Sequence, residues 1–100
     1  MRRQRLRITD VIWKDCYVEK LAAKHDVTTG EVEEALQSSP LVRRVARGRV
    51  RGEEVYAAMS QVRSGRYLVV FFINKKHGMA LPISARDMDA SERRYYGKHT

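Results

Sequence analysis

The chain has 100 residues, of which twenty are Lys or Arg and twelve are Asp or Glu, giving a formal charge of +8 with the histidines neutral. That length predicts one domain over residues 1–100, and 43% hydrophobic residues with only two prolines exclude a disordered tail. A single cysteine, Cys16, excludes an internal disulfide framework and a paired-cysteine metal knuckle.

The chain opens on a basic arm, residues 1–7, with Arg2, Arg3, Arg5 and Arg7. No apolar stretch of signal-peptide length follows it, and the longest apolar run, 67–73, is far too short to span a bilayer. The expectation is a soluble protein of a reducing cytoplasm. Leu6, Ile8 and Ile12 predict a short first strand ending near Trp13. From Tyr17 to about His25, apolar Tyr17, Val18, Leu21 and Ala22 recur at helical spacing. Thr28-Thr29-Gly30-Glu31 matches a capping box and opens a second helix with Val32, Ala35 and Leu36 on its apolar face, closed by Ser38-Ser39-Pro40.

The second half changes period. Residues 42–47 and 55–62 read as strands, with a turn at Gly48-Arg49 or Arg51-Gly52 between them. Ser64-Gly65 turns into the apolar run 67–73, which predicts the central strand. Lys75-Lys76-His77-Gly78 turns again, and a strand from Met79 to Ser84 follows, with Pro82 marking an edge or a bulge. Asp89 and Glu92 form a second cap signature for a last helix through Tyr96, ending at Gly97. Short turns favour a meander. The reading is an α+β domain: an antiparallel sheet of about four strands, two N-terminal helices and one C-terminal helix, all packed on one face.

Arginine outnumbers lysine 14 to 6. Its planar fork fits phosphate oxygens two at a time. The arginines cluster at residues 2–7, at 43–51 (Arg43, Arg44, Arg47, Arg49 and Arg51), at Arg63 and Arg66, and at Arg93 and Arg94. A surface of this kind favours a polyanion, most often nucleic acid, without separating RNA from DNA or from an acidic protein.

Three histidines far apart in sequence, none with a ligand at helical spacing, predict no metal site and no cofactor. Glu31, Glu33 and Glu34 read as a solvated face near a helix N-terminus. Cys16 reads as a small buried hydrophobe. His25, after Lys24 at the predicted end of the first helix, has two readings. It either satisfies C-terminal carbonyls or transfers protons near neutral pH. Histidine with lysine and arginine nearby is what metal-free RNA cleavage needs: a base for the 2′-hydroxyl, cations for the phosphorane and an acid for the leaving oxygen. Among the aromatic residues, Phe71 and Phe72 belong to the core, while Trp13 and a C-terminal tyrosine are candidates for exposure and base stacking.

Taken together, several segments resemble the BrnT toxins of bacterial type II toxin–antitoxin systems. These are Trp13-Lys14-Asp15 before a helix, Lys24-His25-Asp26-Val27 before a capped Glu-rich helix, and Gly52-Glu53 entering a strand. Leu68-Val69-Val70-Phe71-Phe72, then Ile83-Ser84-Ala85-Arg86, and finally Glu92-Arg93-Arg94-Tyr95-Tyr96 complete the set. The match runs from about residue 8 to 97, and its last two segments are the most specific. The resemblance implies a RelE-like fold and a metal-independent ribonuclease that inhibits growth, held by a BrnA-like antitoxin in a hetero-oligomer. It assigns Lys24, His25 and Arg86 to catalysis. RNA contacts fall to Arg93 and Arg94, joined by Arg49, Arg51 and Trp13 from the reading above. Two positions depart from the family pattern. Asp26 stands where glycine is usual, and Val55 stands where the family carries an arginine implicated in activity, a place Arg49 or Arg51 would have to fill. The alternative is a non-catalytic basic RNA- or DNA-binding module derived from such a toxin.

Overall fold

The computed structural model describes residues 8–47 and 53–100, without the side chains of 22–25, 46, 47 and 76. The basic arm and the turn containing Arg49 and Arg51 lie outside the described residues. The elements follow in the order β1 (Asp10–Val11), α1 (Asp15–His25), α2 (Thr29–Gln37), β2 (Leu41–Arg47), β3 (Glu54–Gln61), β4 (Tyr67–Lys75), β5 (Met79–Asp87) and α3 (Ala90–His99). The sheet has five strands in the order β1-β5-β4-β3-β2. No described helix is long and apolar enough to cross a membrane.

The element order matches the periodicity, and β4 is central as its apolar run requires. The sheet, however, is mixed. β2 to β5 form an antiparallel meander, while β1 pairs parallel to β5 at Asp10↔Met79 and Val11↔Ala80. A two-residue strand carries no pattern that reveals a distant parallel partner, so the count of about four and the antiparallel assignment both fall short. Pro82 does sit at an irregularity, where the β4–β5 register shifts between Phe71 and Phe72. A residue without an N–H fits where the ladder is already interrupted.

Both capping boxes form. The Thr28 hydroxyl accepts from the Glu31 amide at 3.0 Å, and Glu31 Oε1 accepts from the Thr28 amide at 3.0 Å. Asp89 and Glu92 repeat the exchange at 2.8 and 2.9 Å. Gly97 does not end α3. The helix runs on to His99, where the His99 imidazole and the Thr100 hydroxyl meet the Tyr95 and Tyr96 carbonyls. Side chains that satisfy these C-terminal acceptors remove the need for a glycine stop.

Alternation along β4 creates two cores. Leu68, Val70 and Phe72 point to one face, with Leu21 of α1, Val32, Ala35 and Leu36 of α2, and Tyr56 and Ala58 of β3. Val69 and Phe71 point to the other, with Leu41, Ala57 and Met59, where Tyr95 and Tyr96 of α3 pack. The helices therefore lie on both faces, not on one. A strand covered on both sides reads as a continuous apolar run, and the run 67–73 carried that signal.

Cys16 is exposed rather than buried, because α1 turns Leu21 into the first core and leaves Cys16 on the solvent side. Phe72 is fully buried, whereas Phe71 is only half-buried on the α3 face. Truncating Phe72 to Ala should therefore cost about 3–5 kcal/mol, and Phe71→Ala about 1–2 kcal/mol. Urea unfolding of the two variants checks the order; equal losses would contradict the two-face assignment.

Candidate functional site

α3 packs on the second face of the sheet through Tyr95 and Tyr96. Its first turn is fixed to β5: Arg86 Nη1 and Nη2 donate to the two Glu92 oxygens at 2.6 and 2.9 Å. Glu92 is also the third residue of the capping box, so one carboxylate closes the helix start and docks it. Further along, the Arg43 guanidinium of β2 lies 4.8 Å from the Tyr95 ring centre. On the flank toward the β3–β4 turn, Arg93 lies 4.3 Å over the Tyr67 ring, and Tyr67 meets Tyr96 edge-on at 6.1 Å.

The helix leaves part of the sheet face uncovered. A cleft of about 600 Å³ opens between α3 and the floor formed by Val45, Ala57, Met59, Val69 and Phe71. Its wall is Tyr95 stacked on His99, with centroids 4.1 Å apart and planes 28° apart. Its rim carries Arg43, Arg94 and Lys98. Val45 is the one exposed large hydrophobic residue among those described, at 41%. It stands at the bulge where the β2–β3 register shifts between Arg44 and Ala46. A second hollow of about 440 Å³ lies on the other flank of α3, lined by Gln61, Tyr67, Arg93, Tyr96 and again Arg94.

The charges divide by use. Arg66 donates to both Asp87 oxygens at 2.6 and 3.1 Å and to the Asp26 carbonyl at 2.9 Å, and it also meets Glu31. Arg44 pairs with Glu54 at 3.0 Å. These arginines hold the fold together, so the basic clusters of the sequence are not all available surface. Arg43, Arg94 and Lys98 pair with no described acid. Among the described residues Glu92 is the single acid lining the cleft, and Arg86 already neutralises it. The Arg86 fork holds the Glu92 carboxyl below its usual range, and the Glu92 carboxylate raises Arg86 in turn. The Thr28 amide, with help from Arg66, lowers Glu31.

The structure groups Arg86, Arg93 and Arg94 around α3. Trp13 lies elsewhere: it is half-buried against the first core, and its indole N–H donates to Glu33 at 2.8 Å. That contact ties the chain before α1 to α2 and leaves Trp13 less open than expected. The side chains of Lys24 and His25 are outside the described residues, as are Arg49 and Arg51. The α1 backbone lies over the first core, on the opposite face from the cleft. Its end nevertheless comes close to β5, because the Asp26 carbonyl and the Asp87 carboxylate share the Arg66 guanidinium. Among the described residues no three His, Cys, Asp or Glu side chains gather as a metal site.

Sequence reasoning missed Arg43 as a specific member of the site, along with Lys98, His99 and the apolar floor. The signal was present in α3, where residues 91, 94, 95 and 98 share one helical face. No model of a known protein family matches the chain, and no curated protein sequence matches it.

The Arg86–Glu92 pair has a definite pH signature. A lowered carboxylate contributes stability that is complete above its unfolded value, 4.5, and is lost as pH falls through the folded value. Glu92→Gln should cost about 1–2 kcal/mol at pH 7, and the gap to the parent should narrow steadily as pH falls below 4.5. Urea midpoints followed from pH 7 downward check this; a gap that stays the same size throughout would remove the pair from the account of α3 docking.

Proposed function

We propose that this chain is the toxin of a BrnT-like type II toxin–antitoxin pair, with a RelE-like fold, and that it cuts RNA without a metal. The observation that supports this reading is the placement of Arg43, Arg94 and Lys98, with Arg93 beside them, around two hollows on either side of one helix. Arginines set beside aromatic rings suit a flexible single strand, whose bases stack while its phosphates meet cations.

In this reading RNA lies across α3 and over the Asp87 end of β5. Continuing round that end, the strand reaches the terminus of α1. Lys24 there stabilises the phosphorane and His25 moves the proton, as the family resemblance assigns them. Arg86 sits between the two regions and acts chiefly by holding α3 in place, since its fork is already filled by Glu92. Asp26, in the family's glycine position, adopts the left-handed conformation, φ 51° and ψ 44°. That is the backbone glycine would take, and Asp is among the residues that tolerate it. The exposed cationic face is also the surface a BrnA-like antitoxin would cover.

A second reading, a non-catalytic module that binds RNA or DNA, has one observation in its favour. Val55, in the place of a family arginine, is half-buried on β3 opposite Ile73. Arg43, nearby on the same face, supplies a charge there but from a different strand.

Incubating a defined RNA with the purified chain in EDTA decides between them. Cleavage lost in His25→Ala, with RNA binding retained, is the expected result. Full activity in a folded His25→Ala protein would overturn the assignment. Salt-sensitive binding with no product from the parent chain would establish the non-catalytic reading.

A further inference from the structure

We propose that the cleft between α3 and the sheet is a nucleotide site that takes one unstacked base, with its phosphate on the Arg43–Arg94–Lys98 rim. The inference rests on the RNA reading above and specifies how the strand is held. Its volume, about 600 Å³, lies in the roughly 300–1,000 Å³ range of small-ligand sites. Its chemistry is divided in two, which narrows the occupant. The floor is apolar, with Val45 exposed at the bulge and Phe71 half-buried. The rim carries three cations without a described acidic partner. A ligand that fits both halves is flat and apolar on one side and anionic on the other.

The Tyr95–His99 stack makes the wall aromatic. A base lying on Val45 and against the edge of Phe71, whose ring carries the Arg86 guanidinium 5.4 Å from its centre, has rings beside it and arginine forks within the same cleft, the combination that grips single-stranded nucleic acid. An acidic polypeptide segment would satisfy the rim but fills the floor only where an aromatic side chain stands next to its carboxylates, whereas every nucleotide carries a ring and an anion on one sugar. Arg86 is not a phosphate ligand in this arrangement. Its two terminal nitrogens are committed to Glu92 at 2.6 and 2.9 Å.

The test compares adenosine 5′-monophosphate with ribose 5-phosphate on the full chain at low salt, read by amide shifts in NMR titrations. The two share sugar and phosphate and differ only in the base. The expected result is at least about tenfold tighter binding of the nucleotide, with shifts centred on Ala57, Phe71 and Tyr95. Phe71→Ala should erase the difference between the ligands. The exposed pair Arg94→Gln and Lys98→Gln should weaken both ligands without changing the fold. Equal affinities in the parent chain would assign the rim to a polyanion with no base in the cleft, and would overturn the proposal. Shifts centred elsewhere, or no binding of either ligand to the folded chain, would overturn it too. Because no bond is broken in this experiment, nucleotide binding without RNA cleavage would refute the ribonuclease and leave the site standing. Cleavage without nucleotide selectivity would do the reverse.

Discussion

The whole structure depends on a requirement set by β4: its two faces must both be covered. Leu68, Val70 and Phe72 alternate with Val69 and Phe71, and successive side chains of a strand point to opposite sides. One face is sealed by α1 and α2, whose Leu21, Val32, Ala35 and Leu36 are almost wholly buried. The other is left to α3, a ten-residue helix with no fully buried residue. Two tyrosines and an ion pair hold it there. A short polar helix cannot cover a sheet face of that width, and the uncovered remainder is the cleft. The candidate site is thus a consequence of unequal burial on the two sides of one strand.

The same division explains why net charge is a coarse guide here. Arg44, Arg66 and Arg86 each meet a carboxylate and serve packing. Arg43, Arg93 and Arg94 instead lie against aromatic rings or the open face of α3. A guanidinium over a ring keeps its charge and most of its donors, so it is fixed in position yet still able to meet an anion. An excess of arginine in the sequence contains both populations and does not separate them.

Local signals were the legible ones. Thr28 with Glu31 and Asp89 with Glu92 specify their helix starts through bonds made within four residues. The run 67–73 specifies a central strand through its own composition. What the sequence did not reveal required distant partners. β1 is defined by pairing with residues almost seventy positions away, and the side of the sheet chosen by α3 is decided by Arg86 meeting Glu92 across the β5–α3 turn. Gly97 carried a stop signal that side-chain capping by His99 and Thr100 overrode. At the site, Arg86, Arg93 and Arg94 were legible as residues. Arg43 was legible only as one member of the 43–51 cluster and Val45 not at all, although alternation from Leu41 places both on the face that α3 covers.

Weak docking of α3 also couples its order to whatever occupies the cleft. A helix of ten residues is marginal in isolation, so its persistence here rests on contacts with the sheet. Those contacts run from its first turn, where Arg86 meets Glu92, to its middle, where Tyr95 meets Arg43 and Tyr96 meets Tyr67. A ligand seated between the floor and the rim touches the sheet and the helix together. It therefore binds the docked arrangement better than the undocked one, and linkage makes that difference a stabilisation of α3 itself. By contrast, the first core gives α1 and α2 a foundation that does not depend on occupancy. The fold thus has a side whose helices rest on a buried core and a side whose last element would gain order from the proposed ligand, and the cationic cleft lies on the second.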